Sequence, residues 1–169
     1  MFLTVLEAVD QGLRAARVGT LDALGIQPRT ERGLVGVIFS PLLHGDWFHL
    51  AANALPLMVL MTLLWWDRRY RPGPALTVIW LISGLGTWAI GRAGSIHIGA
   101  SSIVYGIVAY LIVAGLLIRS WRSVLIALAV GLVFSGIWYG VVPRDGPISW
   151  EGHLCGAVAG AIAARWTQR

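Results

Sequence analysis

Residues 97–106 read HIGASSIVYG and place two adjacent hydroxyls, Ser101 and Ser102, behind a Gly-Ala turn between two long apolar runs. A serine becomes a nucleophile when a neighbouring base takes its proton, and histidine does this near neutral pH. Two segments elsewhere in the chain carry groups suited to the rest of such a reaction. HGDWFHLAANALPL holds His49 and Asn53 four residues apart, hence on one face of a helix, where both can donate hydrogen bonds. EGHLCGAVAG brings His153 at the start of a further apolar run. Ser101 and Tyr105 also stand four apart. Together these residues contain the parts of acyl-transfer chemistry: Ser101 as nucleophile, His153 as base, and His49, Asn53 and the Ser101 amide as fixed donors to an oxyanion.

Each residue alone has a structural reading. A serine in a membrane helix commonly bonds the carbonyl one turn back. An asparagine there is often interhelical glue, and a single histidine near an interface is usually incidental. It is the combination, at matched depth on three helices, that favours a site.

The elements that must position these groups are membrane helices. Apolar residues make up 57% of the 169-residue chain and charged residues only 12%, against about 25% charged in ordinary soluble domains. Mean hydropathy is +0.73. Five apolar runs stand out, at Trp47–Trp66, 75–90, 99–118, 124–142 and 153–166, and a spanning helix needs about 20 residues. Pro72, Gly73 and Pro74 read as a helix break. Residues 1–33 form a separate N-terminal part, too short and too charged for a complete span: an interfacial helix, or the outer half of a truncated first helix, followed by a loop. Residues 34–169 form the membrane core. Cys155, the single cysteine, reads as a small buried filler.

Every basic residue is arginine. Arg68, Arg69, Arg71, Arg119, Arg122, Arg165 and Arg169 fall at one end of the runs, and Arg92 and Arg144 lie in the opposite loops. The positive-inside rule puts the first group in the cytoplasm and His49, Ser101 and His153 toward the outer face. Arginines at the ends of apolar runs orient a membrane protein and give no stripe for nucleic acid. Gly152, Gly156 and Gly160, spaced by four, offer a small-residue ridge for close helix packing, with Gly99 and Gly106 as the receiving surface. Glu151, two residues before His153, reads as a loop residue turned away from it, and Asp46 and Asp145 as solvated loop charges. His44 and His97 fall in outer loops. No ligand spacing implies a metal or organic cofactor.

HGDWFHLAANALPL, HIGASSIVYG and EGHLCGAVAG, in that order, resemble the three signature segments of rhomboid intramembrane serine proteases, and the likeness runs from about residue 24 to 166. The resemblance implies an all-α, six-helix bundle, its first helix truncated here, with a water-filled cavity opening outward. It matches Ser101 to the nucleophile and His153 to the base of a Ser–His dyad. It matches His49 and Asn53 to the oxyanion pair and Tyr105 to an aromatic packed on the catalytic imidazole, with Gly156 and Gly160 as the small residues after it. Ser102 stands where the family usually carries glycine. The implied partners are transmembrane protein substrates in the lipid bilayer, with no cofactor and no nucleic acid. The expected location is a multi-pass position in a bacterial cell membrane. The rival reading is an inactive relative that binds transmembrane clients. A channel or transporter is disfavoured by the lack of inverted repeats and of a membrane-embedded acid.

Overall fold

The computed structural model describes residues 1–169 and contains seven α-helices: α1 (Phe2–Ala15), α2 (Glu31–Phe39), α3 (Trp47–Trp66), α4 (Pro72–Ile90), α5 (Ser101–Ile118), α6 (Trp121–Val133) and α7 (Trp150–Thr167). By length and composition three segments can cross a membrane: Trp47–Trp66, Arg68–Ile90 and Ser101–Ile118. A fourth is added if α6 and the 3₁₀ turn Ser135–Val141, bent by 61°, count as one span. The all-helical membrane bundle expected from the composition is what forms.

Why the helices begin where they do is legible in their caps. Asp46 accepts a hydrogen bond from the His49 amide at 2.7 Å and so starts α3. It is a cap, not the free loop charge expected from its position. Thr30 caps α2 by accepting from the Gly33 amide, and this short helix straddles the boundary expected at residues 33 and 34, ahead of the first apolar run. Pro72 and Pro74 do not break α4 but open it, since the first turn of a helix needs no N–H from them. The break falls one residue earlier, where Arg71 takes a left-handed conformation at φ 46°. The 124–142 run is likewise not one helix. It stops at Val133 and continues as the 3₁₀ turn.

The core is organised around α5. Along it Ile103, Val104, Ile107, Val108, Leu111 and Ala114 are buried against Leu60 and Leu64 of α3, Ile79 of α4 and Ala163 and Ala164 of α7. Helix α7 reaches this position because it is built from small residues. A Cβ on Gly156 would strike the Ser102 carbonyl, and one on Gly160 the Gly106 carbonyl. The ridge is therefore two glycines long on the α5 side. Gly152 faces Ser149 and Thr87 instead, and Gly99 is no part of the receiving surface. Cys155 is buried and lies against Gly86 of α4.

Helix α1 lies outside the span set and buries two acids, Glu7 and Asp10. Asp10 accepts from Arg14 at 2.6 Å and from the Thr20 hydroxyl at 2.9 Å, and Arg14 also pairs with Asp22. These bonds fold the 15–24 connection back on α1. A two-sided backbone pairing of Ile26 with His97, at 2.9 Å each way, then ties the N-terminal part to the loop that precedes Ser101.

Candidate active site

Ser101 is the first residue of α5 and His153 lies one turn into α7, and close packing of these two helices brings the side chains into hydrogen-bond contact. Ser101 Oγ lies 2.9 Å from His153 Nε2. The other ring nitrogen, Nδ1, is 2.9 Å from the Gly140 carbonyl in the 3₁₀ turn. A carbonyl accepts only, so Nδ1 carries the proton and Nε2 presents its lone pair to the serine hydroxyl. The Tyr105 ring stacks on the imidazole, with centroids 4.1 Å apart and planes 8° from parallel. Three contacts on three sides thus fix the ring in the orientation and tautomer that a base requires.

Opposite the serine lies a donor-lined gap. His49 and Asn53 occupy one face of α3, and the Asn53 amide donates to the His49 carbonyl at 2.8 Å with one of its two N–H groups. Gly99, at φ +108°, turns the chain into α5 in a conformation open to glycine. A Cβ there would lie 2.7 Å from His49 Nε2, so the backbone passes directly under the imidazole. The Ser101 N–H, in the first turn of α5, has no partner within the chain. His49, Asn53 and Ser101 border one common space.

That space opens into a cavity of about 1170 Å³ lined by both polar and apolar groups. Ser101, His153, His49, Asn53 and Tyr105 all line it, with Phe134 and Ile137 on the α6 side. Ser102 does not line the cavity; its backbone is the surface against which Gly156 packs.

The loops around the site are also ordered by histidines. His44 is buried, stands edge-on to the His49 ring with centroids 5.2 Å apart, and has Nε2 3.5 Å from the Ala100 amide. Burial, and then the nearby His49, push its pKa down from 6.5 to about 4. His97 sits between the hydroxyls of Ser95 and Ser149, and burial lowers its pKa as well.

Residues 31–168 match the family described as Rhomboid domain. The chain belongs to the rhomboid family. This family includes serine proteases. The rhomboid chain is also 45% identical over 170 residues to an uncharacterized protein of Mycobacterium tuberculosis (strain ATCC 25618 / H37Rv), covering 96% of this chain and 69% of that protein. An uncharacterized protein of Mycobacterium bovis gives the same values. One from Mycobacterium leprae is 38% identical, covering 96% of this chain and 66% of the relative. No solved structure matches the chain.

Within this rhomboid domain two roles differ from expectation. Glu151 is not a loop residue: it lies in the first turn of α7, is 1% exposed, and pairs with Arg92 at 2.8 Å. Capping by Ser149 starts the helix four residues before His153 and carries Glu151 inward. Nothing in the sequence points to the Gly140 carbonyl. A main-chain acceptor has no side-chain signature, and SGIWYG resembles ordinary membrane-helix sequence. Asp145 is an exposed loop residue.

Proposed function

We propose that this rhomboid protein is a serine endopeptidase that cleaves transmembrane protein substrates within the membrane, using Ser101 and His153. The observation that carries the reading is the 2.9 Å contact from Ser101 Oγ to His153 Nε2 inside a wet-sized cavity among spanning helices. A substrate segment unwound in the cavity offers a peptide carbonyl to Ser101. His153 Nε2 takes the hydroxyl proton as Oγ bonds to the carbonyl carbon, and Nδ1–H stays on the Gly140 carbonyl. The negative oxygen is held by His49, Asn53 and the Ser101 amide. His153 then returns its proton to the departing amine, leaving an acyl-serine. Water enters by the same cavity and gives a proton to His153 as its oxygen bonds to the ester carbon. His153 passes that proton to Ser101 Oγ as the C–Oγ bond breaks and the new carboxyl end leaves.

The arginine distribution supports an outward-opening site. Arg71 donates to the Thr167 carbonyl at 3.1 Å, so the arginine-rich α3–α4 connection meets the C-terminal end of α7, opposite His153. The positive-inside rule assigns this end to the cytoplasm.

The test is turnover of a single-spanning model substrate by the purified protein in liposomes. Wild type should cut within or near the span and His153→Ala should not. Equal turnover by His153→Ala would reject the dyad. Binding of the substrate by wild type without any cleavage would support the client-binding alternative.

A further inference from the structure

The loop before Ser101 and the turn before His153 are joined by a set of bonds that the chemistry above does not use. Glu151 has one carboxylate oxygen, Oε1, held by Arg92 Nε at 2.8 Å and by the Arg92 amide at 3.2 Å. The other oxygen is buried without a partner, so Arg92 alone compensates this carboxylate. The same guanidinium donates to the carbonyls of Gly146 at 3.1 Å and Ile148 at 2.8 Å. These residues belong to the connection between Gly140, which holds His153 Nδ1, and α7, which carries His153.

His97 makes a second set of joins. The Ser95 hydroxyl donates to the Arg92 carbonyl at 2.6 Å and is therefore an acceptor toward His97 Nε2 at 2.8 Å. Nε2 then bears the proton of the neutral ring, and Nδ1 accepts from the Ser149 hydroxyl at 2.5 Å. Ser149 Oγ in turn accepts from the Gly152 amide at 3.3 Å as the cap of α7, and the Ser149 carbonyl accepts from the His153 amide at 3.1 Å. In this relay Ser95 and Ser149 each donate one bond and accept another, while His97 donates through Nε2 and accepts at Nδ1.

We propose that Arg92 and His97 are positioning residues for the Ser101–His153 pair, stitching the loop that delivers the serine to the turn that delivers the base. Arg92 clamps the connection through its carbonyls and anchors the first turn of α7 through Glu151. His97, four residues before Ser101, sets the cap four residues before His153. Reaction geometry tolerates little slack, and a displacement of about 1 Å can lower a rate by about a hundredfold. Arg92, His97 and Ser149 also border the cavity, but the bonds described join the loop before Ser101 to the turn before His153, so their loss tells on the rate of acylation more than on the affinity for what enters the cavity.

The proposal rests on Ser101 being the nucleophile, and one experiment separates the two claims. The full chain in detergent is titrated with an alkyl fluorophosphonate, and the maximal inactivation rate and half-saturating concentration are read separately, with a melting temperature for each variant. Arg92→Gln and Ser149→Ala should lower the maximal rate by about tenfold or more while half-saturation stays within about twofold. Ser149→Thr, which keeps the hydroxyl, should recover most of the rate. If Arg92→Gln does not fold, the Ser149 pair decides. Folded variants that react at the wild-type rate, a change confined to half-saturation, or no recovery in Ser149→Thr would each overturn the positioning role. A wild type inert to the probe would overturn the nucleophile assignment, and the proposal with it.

Discussion

The Tyr105 ring lies flat on the His153 imidazole, 4.1 Å between centroids, and its hydroxyl occupies the space where a Cβ of Gly140 would stand. The aromatic ring, the imidazole and the carbonyl that holds it thus form one packed unit. Stacking of this kind contributes about 0.5–1.5 kcal/mol beyond burial. Tyr105→Phe keeps the ring and should keep most of the activity. Tyr105→Ala should lower kcat about tenfold, since roughly 1.4 kcal/mol is a factor of ten in rate. Gly140→Ala should be worse, because the added methyl displaces both Tyr105 and His153. Turnover of a transmembrane substrate by the three variants checks the order.

Removal of an oxyanion donor has a different signature. Asn53→Ala and His49→Ala leave the Ser101–His153 contact in place and remove donors that matter once charge develops on the substrate oxygen. Each should lower kcat by about 10²–10³ with little change in KM. Steady-state kinetics on one substrate would show it, and an effect on KM alone would place these residues in substrate binding instead.

The α5–α7 contact is set by backbone against glycine. Gly160→Ala would drive a methyl into the Gly106 carbonyl and Gly156→Ala one into the Ser102 carbonyl. Neither neighbour is a flexible side chain, so the helices must part. Overpacking of this kind costs about 1–3 kcal/mol, and separation of α7 from α5 lengthens the Ser101–His153 contact. Both variants should melt at lower temperature and lose activity, whereas Gly73→Ala, with open space around its Cβ, should change neither. Thermal melting in detergent and substrate cleavage test the pair together.

His44 links stability to pH. Its folded-state pKa is about 4, against 6.5 for an ordinary histidine. Between those values the unfolded chain binds the extra proton, so stability rises with pH and is lost as pH falls from 6.5 toward 4. The shift corresponds to roughly 3 kcal/mol once pH has dropped to the folded value. His44→Gln, which cannot titrate, should show a smaller loss of melting temperature between pH 7 and pH 5 than wild type. An identical loss would remove His44 from the account.

The groups of the proposed site were legible in the sequence because their spacing is local or their order is distinctive. His49 with Asn53, and Ser101 with Tyr105, follow the helical repeat, and α3 ends where the apolar run ends. The glycine ridge announced close packing but not its limits: nothing local shows that Gly152 turns toward Ser149 while Gly156 and Gly160 meet α5. Caps are harder to read than the runs they open: α3 begins where its apolar run begins, whereas α7 begins three residues before the 153–166 run. Asp46 and Ser149 look like loop residues until their acceptance of backbone amides is seen. The pairing of Arg92 with Glu151 is hidden for a further reason. They lie 59 residues apart, and each has an innocent reading as an outer-loop charge. The bend that ends α6 at Val133 is hidden in an unbroken apolar run, since 3₁₀ and α-helical turns draw on the same residues.

The central claim is that Ser101, and not its neighbour Ser102, is the nucleophile. Covalent labelling of the full chain by a fluorophosphonate, with the modified peptide located by mass spectrometry, tests it most directly. The account predicts labelling at Ser101 in wild type and in Ser102→Ala, and none in Ser101→Ala or His153→Ala. Labelling that persists in Ser101→Ala and vanishes in Ser102→Ala would contradict it.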